Sequence, residues 1–387
     1  MTLSAAVGQS RSLDGRQAAQ QAAHQALEQL SGVPVSMGIV IFSQAHEVSD
    51  VLGGAIAMLG NTPLLGFSTV AELSRTGQGI HSVIVALLGG TDIHTRANWW
   101  PNFSRDSREA VKVLVSEFHL HEQTGGSLLF FADGLQGVAD SLEELLPRGF
   151  QVAGGLVGGD FYMGRSAQIG GSLSGEGGLA AAFLEGRVTL GIGSAHGWEP
   201  VGAILEVTHS RGAWIRTLDD KPASEKYADL LGYEARDWLF PPLNRLVRLY
   251  PLGVEQHGSS DLLLRSPLRV EADGSLRMNI PVSDGLTSYL MVGSMEQCQR
   301  AAQRATLQAL SALGKARPVF ALVLVDVAWK MLMDADPGRE IAVVQAVLGE
   351  DVPVAGGYVL GQIDRQRSGE DLEVRNQHIQ VVLFGEV

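Results

Sequence analysis

One pattern occurs three times in the chain: Leu64-Leu-Gly-Phe-Ser-Thr-Val-Ala-Glu72, Gln151-Val-Ala-Gly-Gly-Leu-Val-Gly-Gly-Asp160 and Pro353-Val-Ala-Gly-Gly-Tyr-Val-Leu-Gly-Gln362. With Gly66, Gly154 and Gly356 in register, each copy is an apolar pair, a glycine, a run of mostly small or apolar residues, and then Glu72, Asp160 or Gln362. A glycine at that point permits a positive φ or a close backbone approach, and a polar residue just beyond it faces whatever the turn surrounds.

The flanks repeat as well. An apolar run rich in Ile, Val and Phe precedes each copy (Met37 to Phe42, Ser127 to Phe131, Phe320 to Val325), and another follows it (Ser82 to Leu88, Leu179 to Leu184, Ile379 to Phe384). Each repeat reads as strand, helix, strand, glycine turn and a further strand. The expected fold is therefore α/β, with mixed sheets flanked by helices and the internal repeats distributed over two packed halves. Ligands on α/β sheets collect outside the carboxyl ends of the strands. That makes Ser43, Asp133 and Asp326, which end the first strands, and the glycine turns, with Gly155 and Gly357, the candidate site.

Helices are expected over Ser12 to Leu30, with Ser12 as N-cap and Gly32 as stop, and over Val48 to Leu59, Ser107 to His121, Ser141 to Leu146, Ala223 to Leu231, Met295 to Leu313 and Arg339 to Leu348. The stretch Gln168 to Ile192, broken by Gly170-Gly171, Gly175 to Gly178 and Glu185-Gly186, reads as an antiparallel meander. The pattern changes at Gly197-Trp-Glu-Pro200, which divides the chain into an N-terminal helix (1–32), a first domain (33–199) and a second (200–387).

With 387 residues and 45% hydrophobic composition the chain suits two or three domains with a sizeable core. A net charge of -13 with scattered Lys and Arg argues against nucleic acid as a partner. The single cysteine, Cys298, excludes an internal disulfide and any CxxC site, and fits a reducing compartment. The polar first twenty or so residues lack a signal-peptide core, and no apolar run reaches the roughly 18 to 20 residues of a membrane span, so the expected location is the cytoplasm.

These elements in this order resemble the FIST family of intracellular signal-transduction domains. Gly66-Phe-Ser-Thr-Val-Ala-Glu72 and Ala153-Gly-Gly-Leu-Val-Gly-Gly-Asp160 carry the N-terminal half of the resemblance; Leu218-Asp-Asp-Lys-Pro-Ala223, Asp273-Gly274 and Val354-Ala-Gly-Gly-Tyr358 carry the C-terminal half. Phe67 stands where the family has a cysteine, which removes thiol chemistry, and Gln362 replaces the acidic end of the third element. The resemblance implies a sensor of a small ligand, an amino acid or a related metabolite, that signals to a partner in trans such as a histidine kinase. In that reading backbone N–H groups at the glycine turns hold a carboxylate, and Glu72, Asp133, Asp160 and Asp326 hold an ammonium group. It also implies haem-binding, nitric-oxide-sensing relatives, for which His94, His196, His209 and His257 are the available axial ligands.

Other chemistry fits less well. Gly66-Phe-Ser68-Thr-Val70 has three positions of a hydrolase nucleophile turn but Val where the last glycine belongs. Ser68 and Thr69 otherwise hydrogen-bond turn backbone or ligand. Gly191-Ile-Gly193 has His196 where dinucleotide binding requires a glycine, and His119 and His121 do not share a helix face.

Overall fold

The computed structural model describes residues 3–135, 142–158, 165–255, 262–278 and 280–386. The first repeat runs β1 (Ser4–Ser10), α1 (Gly15–Leu30), β2 (Val35–Ser43), α2 (Val48–Leu59), β3 (Leu64–Thr69), a hairpin of β4 (Glu72–Ser74) and β5 (Gly77–Gly79), and β6 (Val83–Gly89). The second runs β7 (Ile93–Trp100), α3 (Ser107–Glu117), β8 (Ser127–Asp133), α4 (Leu142–Leu145), β9 (Gln151–Val157), a hairpin of β10 (Ala167–Gly170) and β11 (Leu173–Glu176), and β12 (Leu179–Gly186).

The third repeat opens with β13 (Val188–His196) and is then interrupted. The interruption comprises β14 (Trp198–Arg211), β15 (Trp214–Leu218), β16 (Lys221–Pro222), α5 (Ala223–Leu231), α6 (Leu243–Leu246), β17 (Leu252–Glu255), β18 (Leu262–Arg265), β19 (Pro267–Val270), β20 (Leu276–Met278) and β21 (Thr287–Gly293). The repeat resumes with α7 (Met295–Leu313), β22 (Arg317–Asp326), α8 (Val327–Leu332), α9 (Arg339–Leu348), β23 (Val354–Val359), a hairpin of β24 (Gly361–Arg365) and β25 (Glu373–Arg375), and β26 (His378–Glu386).

The repeats are exchanged. In each, the first strand and the glycine strand pair in parallel (β2 with β3, β8 with β9, β22 with β23), and the last strand returns antiparallel beside the first. The hairpin leaves for the next sheet. β4–β5 joins β23 of the third repeat, β10–β11 joins β3 of the first, and β24–β25 joins β9 of the second. The result is three six-stranded mixed sheets closed into a ring, plus an eight-stranded sheet built by the interrupting segment.

One face of each sheet turns to a common centre, where Ile39, Phe67, Leu129, Phe131, Ala153, Leu322, Leu324 and Val359 share one buried cluster. Phe67 and Phe131 stack with centroids 4.4 Å apart. The opposite face of the first sheet is covered by α1 and α2 through Ala18, Ala22, Ala26, Val51 and Ala55.

The mixed α/β class is as expected, and several details differ from the sequence reading. The N-terminal segment opens with β1, whose Ala- and Gly-containing stretch carries no strong strand signal. Helix α1 then starts at Gly15, capped by Asp14 through the Gln17 N–H, and ends at Ser31 in the left-handed region. Trp99 and Trp100 belong to β7 rather than to a connection. The stretch Gln168 to Ile192 is not a meander: β10, β12 and β13 go to three different sheets, since glycine spacing fixes where a chain reverses and not which strand it meets.

Candidate functional site

The repeated glycines lie inside strands, and none of the five has a positive φ. They permit close approach. A β-carbon at Gly154 would sit 1.8 Å from the Phe130 carbonyl oxygen, and one at Gly357 would sit 3.1 Å from Thr69 across the ring. Gly66 and Gly356 meet the carbonyls of Val40 and Val323 in the same way, and Gly155 meets Val359.

The polar residues at the strand ends are buried and engage one another. Thr69 Oγ1 accepts from the Tyr358 N–H (2.8 Å) and donates to its C=O (3.0 Å), joining the first and third glycine strands. Ser68 Oγ accepts from the Ala167 N–H at 2.9 Å; it sits buried within a strand rather than on an exposed nucleophile turn. Ser43 Oγ accepts from the Ala45 N–H, and Ser166 Oγ donates to Asp133. Asp326 receives Arg248 Nη2 at 2.9 and 3.1 Å and the N–H groups of Ala328 and Gln377. Arg248 also donates to the Leu360 C=O, so an arginine of the interrupting segment occupies the end of β22. Asp160 lies outside the described residues.

Strand register identifies a residue that sequence comparison missed. Glu72 lies opposite Gly357, Gln362 opposite Gly155, and Gln168 opposite Phe67. Gln168 is thus the second repeat's counterpart of Glu72 and Gln362, hidden by the longer connection that leads to it. All three are buried. Gln168 accepts from the Gly178 N–H, and Gln362 Nε2 donates to the His378 C=O. Glu72 Oε2 accepts from Ser82 N–H (3.1 Å) and Ser82 Oγ (2.5 Å), while Oε1 has no partner. Burial pushes the Glu72 carboxyl up to about 7 despite the two Ser82 hydrogen bonds.

Among the described residues the histidines do not converge on one apolar slot. His94 and His209 are exposed, and His257 lies outside the described residues. His196 packs edge-on against His378, a buried residue not anticipated from the sequence, with ring centroids 5.0 Å apart. The Trp198 N–H donates to His196 Nδ1, and His378 Nδ1 lies 2.6 Å from the Asn376 carbonyl oxygen. Burial holds His378 well below the usual histidine range. The cavities at the seams mix apolar residues such as Val7, Pro353 and Val354 with polar and charged ones, and among the described residues no histidine lines them to serve as an axial ligand for haem.

Three equivalent seams separate the sheets, each formed where the outer strand of one sheet meets the hairpin docked on another. In the second seam β7 packs on β10–β11 with almost no space: a β-carbon at Gly170 would lie 2.1 Å from the Asn98 oxygen, and one at Gly175 would lie 2.3 Å from the Trp99 ring. In the third, Ser194 Oγ of β13 donates to Asp364 of β24, and a cavity of about 480 Å³ remains at the hairpin tip. In the first, Gln9 of β1 meets Ser74 of β4, whose hydroxyl donates to Gln9 Oε1 at 2.8 Å. That seam stands open as a groove of about 810 Å³. Arg11, Arg75, Glu350 and Asp351 supply both signs of charge along it, and Gln25, Gln29 and Thr76 supply neutral polar groups.

The FIST N domain matches residues 36–221 and the FIST C domain matches residues 223–365. The chain belongs to the FIST family. FIST domains are associated with small-ligand sensing in signalling. Uncharacterized proteins of Mycobacterium bovis and Mycobacterium tuberculosis are each 24% identical over 376 residues, covering 92% of this FIST chain and 93% of the relative. No helix among the described residues is long and apolar enough to cross a membrane.

Proposed function

We propose that this FIST protein is a cytoplasmic sensor of a small polar ligand, an amino acid or a related metabolite, held in the first seam, and that it signals to a partner in trans such as a histidine kinase. The observation that carries this reading is that the first seam holds a groove of about 810 Å³ with both signs of charge along the outer strand β1, whereas the charged cavity of the third seam, about 480 Å³, is confined to the hairpin tip and does not reach its outer strand β13. An α-amino acid presents a carboxylate for Arg11 or Arg75 and an ammonium group for Glu350 or Asp351. The Arg75–Glu350 pair, exposed and 3.8 Å apart, contributes little by itself and yields readily to a ligand.

Signalling needs a ligand that prefers one of two arrangements. A ligand in this groove touches β1 of the first sheet and the β4–β5 hairpin on the third, so it favours one spacing of two ring members. Isothermal titration against an amino-acid panel tests the reading. Arg11→Ala is expected to weaken binding about tenfold, as loss of one charge-assisted hydrogen bond does, with the thermal midpoint unchanged because Arg11 is exposed. No heat from any member of the panel would sink a free amino acid as the ligand.

A further inference from the structure

Strand β1 sets how a ligand in the groove can pair with the chain. The Val7 C=O accepts from Gln29 Nε2 (3.1 Å), and the Gln9 N–H donates to Gln25 Oε1 (3.0 Å). Odd-numbered residues of this edge strand therefore turn their peptide groups away from β6 and into the seam, and Ala5 shares that direction by alternation.

The third repeat shows what belongs there. Counted along the registers of β1 with β6 and of β13 with β26, Gln9 corresponds to Ser194 and Ala5 to Leu190. The Ser194 N–H donates to Gln308 just as the Gln9 N–H does to Gln25. Leu190 gives its N–H to Gln151 Oε1 (3.2 Å) and receives Gln151 Nε2 on its C=O (2.9 Å), so a primary amide pairs with that edge as the peptide group of a neighbouring strand would. At the position of Gln151 the first seam has Pro353, whose side chain offers neither donor nor acceptor. The 810 Å³ groove and a second cavity of about 260 Å³ share Ala5, Asp351 and Pro353. Together they follow β1 from Leu3 to Arg11, roughly 26 Å at about 3.3 Å per residue.

Resting on the reading of this seam as the ligand site, we infer that the ligand is a short peptide bound in extended form along the β1 edge, its backbone amide taking at Ala5 the place that Gln151 takes at Leu190. Asp351 beside Ala5 and Arg11 at the far end suit the peptide's ammonium and carboxylate termini, which sets it parallel to β1.

The test is calorimetry and amide hydrogen exchange of the full chain with tetra-alanine and, in parallel, a degenerate tetrapeptide mixture. Binding with slowed exchange in β1 is expected. Ala5→Pro removes one outward N–H at an edge position that tolerates proline, and Pro353→Gln installs the amide that fills the third seam. Each is expected to weaken peptide binding about tenfold, with circular dichroism and thermal midpoint reporting that it is folded. Peptide binding that both folded variants retain at full strength overturns the inference. So does an absence of peptide binding alongside Arg11-dependent binding of free alanine or glutamine, which leaves the sensor reading standing. If neither peptide nor amino acid binds, both fall.

Discussion

Glu72 is the residue whose chemistry departs furthest from its two counterparts, since Gln168 and Gln362 hold neutral amides where it holds an acid. Its carboxyl is raised by burial from 4.5 to about 7, so the native state binds a proton that the unfolded state releases between those values. Stability then falls as pH rises from about 4.5 to about 7 and is level above it, a loss on the order of 3 kcal/mol at about 1.4 kcal/mol per unit. Glu72→Gln copies the other two repeats and removes the titration. Urea melts are expected to place the variant's advantage over wild type about 3 kcal/mol higher at pH 8 than at pH 4.5; a constant separation would show that Glu72 titrates normally. The sequence marked Glu72 as special, but not as buried, because its cover combines Ser82 and Gly79 of its own repeat with the Gly357 strand of the third, which meet only in the fold. In the same way Gly154 was legible as a site of close approach, while its neighbour, the Phe130 carbonyl, was not.

Among the elements, the interrupting segment is tied to the ring by the fully buried Arg248–Asp326 pair. Removing one partner of a buried pair leaves an uncompensated charge, at a typical cost of about 3–5 kcal/mol. Asp326→Ala is expected to lower stability by that amount, and limited proteolysis should cut first between α5 and β17, where Arg248 is anchored. Double substitution of Arg248 and Asp326 by Met and Leu should recover much of the loss. A single variant as resistant to protease as wild type would show that the pair does not hold the segment. Helices at this scale were legible: α2, α5, α7 and α9 occupy the spans that their apolar periodicity indicates. The short hairpins β4–β5 and β24–β25 were not, because three to five residues carry too little periodicity and both dock on sheets of other repeats.

At the level of the molecule, every sheet of the ring contains a hairpin from another repeat, so no repeat completes its own sheet. A fragment of residues 1–199 would lack β24–β25 for its second sheet and β23 for its β4–β5 hairpin. Such a fragment is expected to show no cooperative thermal transition and no near-ultraviolet circular dichroism, whereas the intact chain shows both. A fragment that melts cooperatively would mean the exchanged hairpins are dispensable.

The sequence by itself determined the repeat, the mixed α/β class and the positions of the principal helices, because side-chain periodicity and glycine placement act over a few residues and are written locally. The tertiary structure decided the exchange of hairpins, the equivalence of Glu72, Gln168 and Gln362, and which of three seams stays open. Those outcomes depend on which backbone meets which, and every residue but proline presents the same N–H and C=O to a sheet; the aligned repeats already set Pro353 against Gln151, but only the assembled ring shows that Gln151 pairs with Leu190 across the third seam.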